Sequence, residues 1–88
     1  MKTCTEIINE VVDELTEKGF SPDELFEMEI RLCELDAEIS VFAAMGKAAR
    51  LCAAELELAK LFERIGPNAQ AYFDALHEES EIYAAAHA

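Results

Sequence analysis

The stretch from Val41 to Ala54, VFAAMGKAARLCAA, is apolar or small on almost every side apart from Lys47 and Arg50. A helix that is apolar all round must be covered all round. A chain of 88 residues has little left over to supply that cover. A second copy of the chain is the natural source of it.

The elements around this stretch are marked by local chemistry. Thr3 and Glu6 stand at capping-box spacing, and Cys4, Ile7, Ile8, Val11, Val12 and Leu15 follow at steps of three and four, which predicts a first helix over about residues 3–18. Gly19 supplies a left-handed helix end, against which Phe20 can pack. Ser21-Pro22-Asp23-Glu24 is a stronger start signal, with a Ser cap, Pro at the first helical position, acids where the helix dipole favours them, and Glu24 closing a second box. Phe20 and Leu25 sit at hydrophobic-staple positions. With so short a link, the first helix folds back antiparallel on the second.

From Pro22 no strong break occurs before Gly66-Pro67, so the spacing predicts one long central helix over about residues 22–65, roughly 65 Å in length. Gly46 is its weak point, because a mid-helix Gly costs about 1 kcal/mol relative to Ala. No Pro, Asn, Asp or Ser follows it to favour a turn. A break there, giving a four-helix bundle, is the alternative. Ala69, Tyr72, Phe73, Leu76 and Tyr83 keep helical spacing and place a third helix over about residues 67–85.

Two apolar lines run along the central segment. Leu25, Met28, Leu32, Leu35, Ile39, Phe42, Gly46, Ala49, Ala53 and Leu56 alternate steps of three and four, as in a coiled-coil seam. Ala44, Ala48, Leu51, Ala54, Leu58, Leu61 or Phe62, and Ile65 lie on a different face. The terminal helices fold back on different halves of the long helix and leave its middle bare. Small residues there allow close approach of a two-fold mate, which makes Ile39, Phe42, Ala43, Gly46, Ala49, Ala53 and Leu56 the expected oligomer interface.

Charge narrows the partners. Seven Lys and Arg against 19 Asp and Glu give a formal charge of -12 and a pI near 4.3, so phosphate backbones and anionic membranes are repelled. Direct nucleic-acid and membrane binding are therefore not expected, whereas a protein with a basic surface is a fitting partner. Cys4, Cys33 and Cys52 are odd in number, have no CxxC spacing and fall on apolar helical positions, as buried free thiols of a reducing cytoplasm do. No signal-peptide pattern opens the chain, and the expected location is cytoplasmic.

No catalytic, metal or nucleotide motif stands out, and no cofactor is expected. Lys47 and Arg50, one turn apart, form a possible anion-binding pair, with Arg64 a more remote third, although salt bridges to Glu38 or Glu55 explain them as well. Asp74 and His77 have acid-x-x-His spacing near Glu78, Glu79, Glu81 and His87, but a dinuclear site needs a second such pair. Cys33 or Cys52 with His77 lacks any accompanying oxyanion loop. Tyr72, Phe73 and Tyr83 read as core aromatics with hydroxyls reaching water. Glu6, Glu10, Asp13, Glu14, Glu17, Glu27 and Glu34, with Glu24 and Glu38, form a possible acidic face toward a basic partner.

The sequence therefore predicts a single all-α domain over residues 1–88, built of helical hairpins on one long helix and assembled as a homodimer or higher oligomer. Its expected role is non-enzymatic binding of another macromolecule. The alternatives are a small phage-type acidic inhibitor or DNA mimic that blocks a nucleic-acid-handling host protein, and a sequestering or sensing protein for a small anion at a subunit interface.

Overall fold

The structure, a computed structural model, describes residues 1–86; His87 lies outside the described residues. It is all-α, with α1 Cys4–Glu17, α2 Pro22–Ala44, α3 Ala48–Ile65 and α4 Ala69–Ala86. The helix starts follow the local signals. Thr3 caps α1 by accepting from the Glu6 amide at 3.2 Å. At Ser21 the box closes both ways, each bond at 3.2 Å, with Pro22 in the first turn.

The continuous helix over residues 22–65 is corrected, and the four-helix alternative holds: α2 ends at Ala44 and α3 begins at Ala48. Gly46 takes φ +68, and around it the Gly46 amide donates to the Ala43 carbonyl at 3.3 Å and the Lys47 amide to the Phe42 carbonyl at 3.0 Å. That is the paired closure of a Schellman end. The same pattern ends α1, where Gly19 donates to Thr16 and Phe20 to Leu15, each at 3.1 Å. Glycine alone makes the turn, since no side chain caps the start of α3 at Lys47.

Folding at Gly46 resolves the two seams. The first seam buries Leu25, Met28, Leu32 and Leu35 on α2, and the second buries Ala54 and Ile65 on α3 while half-burying Leu51, Leu58 and Leu61. The hairpin brings these two faces together, so α2 and α3 cover each other within one chain. Arg31 fixes the pair: its Nε and Nη2 donate to the two carboxylate oxygens of Glu57, the latter at 2.7 Å, while Nη1 lies 3.3 Å from Glu38. Such bidentate pairing adds direction as well as attraction, and it holds the Glu57 carboxyl below the ordinary carboxylate range.

The expected docking of α1 along α2 is also corrected. α1 lies chiefly against α4, antiparallel to it, as shown by Asn68 donating to Glu14 at 3.1 Å near one end and the Cys4 thiol donating to Glu78 at 3.3 Å near the other. The main core forms where the two helix pairs meet: Val11 and Leu15 from α1, Leu25, Met28 and Leu32 from α2, Ile65 from α3, and Ala69, Tyr72 and Leu76 from α4. Phe62 and Phe73 add an edge-on ring contact at 5.6 Å. Lys18 closes the base by donating to the last carbonyl of α3 at Ile65, at 3.4 Å.

Candidate functional site

Two regions are left over from this packing. The first is the distal end of the α2–α3 hairpin. The α1–α4 pair packs against the other end of the hairpin, where the core takes Leu25, Met28 and Leu32 of α2 and Ile65 of α3. Val41, Met45 and Leu56 consequently stand 51, 58 and 63% exposed. Ala43, Gly46, Ala49 and Ala53 are exposed as well, and Ile39 and Phe42 are half-buried. Most of the residues expected to meet a second copy are thus brought to one end of the molecule, while Leu56 lies further along α3 between Glu55 and Glu57. This end also lacks acid, for no Asp or Glu occurs between Glu38 and Glu55.

Lys47 and Arg50 are at this tip, both exposed. Neither forms an ion pair among the described residues, and Glu38, one expected partner, is taken by Arg31. Arg50 shares a shallow recess with Phe42, Ala53, Ala54 and the Arg31–Glu57 pair. Arg64 does not join them. It lies at the opposite end of α3, with its guanidinium 5.4 Å from the centre of the Phe20 ring.

The second region is a cleft of about 300 Å³ between α2 and α4. Leu32, Phe73 and Leu76 give it an apolar floor, and Cys33, Asp36, Ser40, His77, Ser80 and Glu81 give it a polar rim. His77 stands in the middle of that rim, with Nδ1 2.5 Å from Asp36 on α2 and Nε2 3.0 Å from Glu81 on its own helix. The hydrogen bond and charge of Asp36, supported by Glu81, raise the imidazole pKa above its ordinary value. A protonated ring donates to both carboxylates; a neutral ring can donate to only one.

The structure rearranges the chemistry considered from sequence. Asp74 does not pair with His77 but accepts from Gln70 at 2.9 Å. Among the described residues no group of three His, Cys, Asp or Glu side chains is arranged to hold a metal ion. Cys33 shares the cleft with His77, yet partial desolvation of its thiol against the cleft, aided by Glu29 and Asp36, pushes its pKa up, the wrong direction for a nucleophile. Cys52 lies apart on α3 beside Glu55, Leu56 and Ala59.

The expectation of buried thiols is corrected: Cys33 and Cys52 are exposed and Cys4 is half-buried, because the helical lines they follow are only partly covered in one chain. Tyr83, read as a core aromatic, is 65% exposed, whereas Tyr72 is fully enclosed and burial pushes its hydroxyl pKa up to about 12. Asp36 opposite His77 escaped the sequence reading, since 41 residues separate the pair and no local spacing relates them.

The acids of the possible partner face, Glu6, Glu10, Asp13, Glu14, Glu17, Glu27 and Glu34, are all exposed. They are carried on different helix pairs, those of α1 beside α4 and those of α2 beside α3. Some have local partners, Glu10 with Lys2 at 2.7 Å and Glu14 with Asn68 at 3.1 Å. No helix among the described residues is long and apolar enough to cross a membrane. The chain matches no protein-family model, and comparison with curated proteins and with solved structures finds no match.

Proposed function

We propose that this is a non-enzymatic binding protein whose working form is a self-assembled pair, joined through the tip of the α2–α3 hairpin and presenting its acid-rich helices to a basic protein. The observation that carries this reading is the coincidence of exposed Val41 and Met45 with the acid-free segment of a chain of net charge -12. Elsewhere two copies bring carboxylates together, which costs free energy. At the tip they bring together methyl groups, a thioether and small residues that permit close backbone approach. Lys47 and Arg50 flank that patch and are suited to the carboxylates of a mate, such as Glu55.

Sedimentation equilibrium from 5 to about 200 µM tests the pairing. The expected mass approaches twice 9.8 kDa, and Val41→Asp combined with Leu56→Asp returns it to the monomer without loss of helix content, since both side chains are exposed in the single chain. A monomer at every concentration overturns the proposal. Binding to a basic partner should weaken steeply with added salt. Indifference to salt would remove the acidic face from it.

A further inference from the structure

The α2–α4 cleft plays no part in that reading, yet it is the more enclosed of the two regions and has its own chemistry. Its floor is apolar, and no Lys or Arg lines it. The basic group at its rim is the His77 imidazole, held between two carboxylates. We propose that this cleft binds a small organic cation, an ammonium group on an apolar stem, which takes the place of the His77 ring beside Asp36 and Glu81 while its stem lies on Leu32, Phe73 and Leu76.

The two carboxylates stand 2.5 and 3.0 Å from the two ring nitrogens of His77, a spacing that suits a donor of two N–H groups. Anions are disfavoured, because two acids guard the entrance and no Lys or Arg lines the cleft. A neutral apolar molecule finds the floor but leaves the carboxylates without a donor. The volume, about 300 Å³, lies at the small end of ligand pockets and accommodates a short alkyl or aryl amine. His77 thereby acts as a tethered competitor. At low pH both its N–H groups donate and the site is filled from within. At high pH the neutral ring retains one N–H, and either Asp36 or Glu81 is freed for an incoming ammonium.

The groups that set this dependence come from each element at the cleft. α2 supplies Asp36 and Cys33, the latter with its thiol held protonated by partial desolvation and by Glu29 and Asp36. α4 supplies His77 and Glu81, while the neighbouring Glu78 is turned to the Cys4 thiol of α1. α3 contributes no lining residue. Ser40 and Ser80 add uncharged residues to the lining.

The probe is hexylammonium, with 1-hexanol as its uncharged counterpart, followed through the methyl signals of Leu32 and Leu76 in carbon-resolved NMR of the full chain. At pH 8.5 the ammonium should give saturable shifts at those methyls, and the alcohol should bind about two- to fivefold more weakly, the scale of one exposed charge contact. At pH 5.5 the ammonium should weaken by a similar factor. His77→Gln should bind it equally at both pH values, and Asp36→Asn with Glu81→Gln should abolish the preference for the cation. Equal binding of hexanol, shifts absent from both leucines, or a pH dependence that survives in His77→Gln would each overturn the proposal. All three substituted side chains are at least 31% exposed, so the variants should keep the fold with at most a modest loss of stability.

Discussion

Replacing Gly46 by Ala isolates the conformation that divides the central segment into two helices. Gly46 sits at φ +68, and a Cβ added there meets nothing within 4 Å. Substitution therefore carries no steric collision with the rest of the molecule. What it carries is the left-handed backbone penalty of an L-residue, about 1–2 kcal/mol, with a part returned by the narrower freedom of Ala in the unfolded chain. The net loss should be about 1 kcal/mol, equivalent to a fall of roughly 4–8 °C in Tm for a domain of this size. Gly46→Asn should lose less, because Asn tolerates the left-handed region better than Ala does. Urea unfolding of the three proteins, followed by circular dichroism at 222 nm and at low micromolar concentration so that self-association adds little, gives the order Gly, Asn, Ala. An Ala variant as stable as the parent, or an Asn variant below the Ala one, would refute a hinge limited by φ.

Three further perturbations probe other parts of the same account. Leu32 is 0% exposed and joins the core of all four helices to the floor of the cleft, so Leu32→Ala should cost about 2–5 kcal/mol and shift the urea midpoint strongly downward with little change of slope; a loss below 1 kcal/mol would mean that the core is loosely packed there. Ser21→Ala removes the side-chain half of the box that starts α2 and should cost about 1 kcal/mol, read from the same urea curves, with Ser21→Thr largely retaining it. The folded state raises the pKa of His77, so its stabilisation is fully present below the unfolded value of about 6.5 and is lost as pH rises through the folded one. The difference in Tm between the parent and His77→Gln should accordingly narrow from pH 5.5 to pH 8.5, and a gap that widened would contradict the Asp36–His77–Glu81 arrangement.

The two glycine turns show how far local reading reaches. Gly19 and Gly46 end their helices with the same pair of backbone hydrogen bonds. Gly19 is legible because Ser21, Pro22 and Glu24 announce the next helix. Gly46 is followed by Lys47, Ala48 and Ala49, none of which starts a helix by its own chemistry, and the segment reads as continuous. The candidate sites divide in the same way. The bare apolar tip was visible as a surplus of apolar residues over possible cover, and the chain topology confirms only where that surplus lies. The cleft was not visible, because Asp36 and His77 belong to separate helices and meet through packing alone.

Capping residues, glycines and steps of three and four act within a few residues of themselves, and for that reason the sequence by itself determined an all-α protein, the starts of α1 and α2, the ends of α1 and α3, and the two apolar lines of the central segment. Tertiary structure decided the rest: the fold at Gly46, the pairing of α1 with α4, and the meeting of Asp36 with His77. The physical reason is burial. A straight central helix leaves much of both apolar lines in water unless another chain covers them, whereas a turn through one glycine lays α2 on α3, in a packing where Leu32 and Leu35 are fully buried, at a small local cost. No local signal records that gain, since it belongs to residues on both sides of the turn at once.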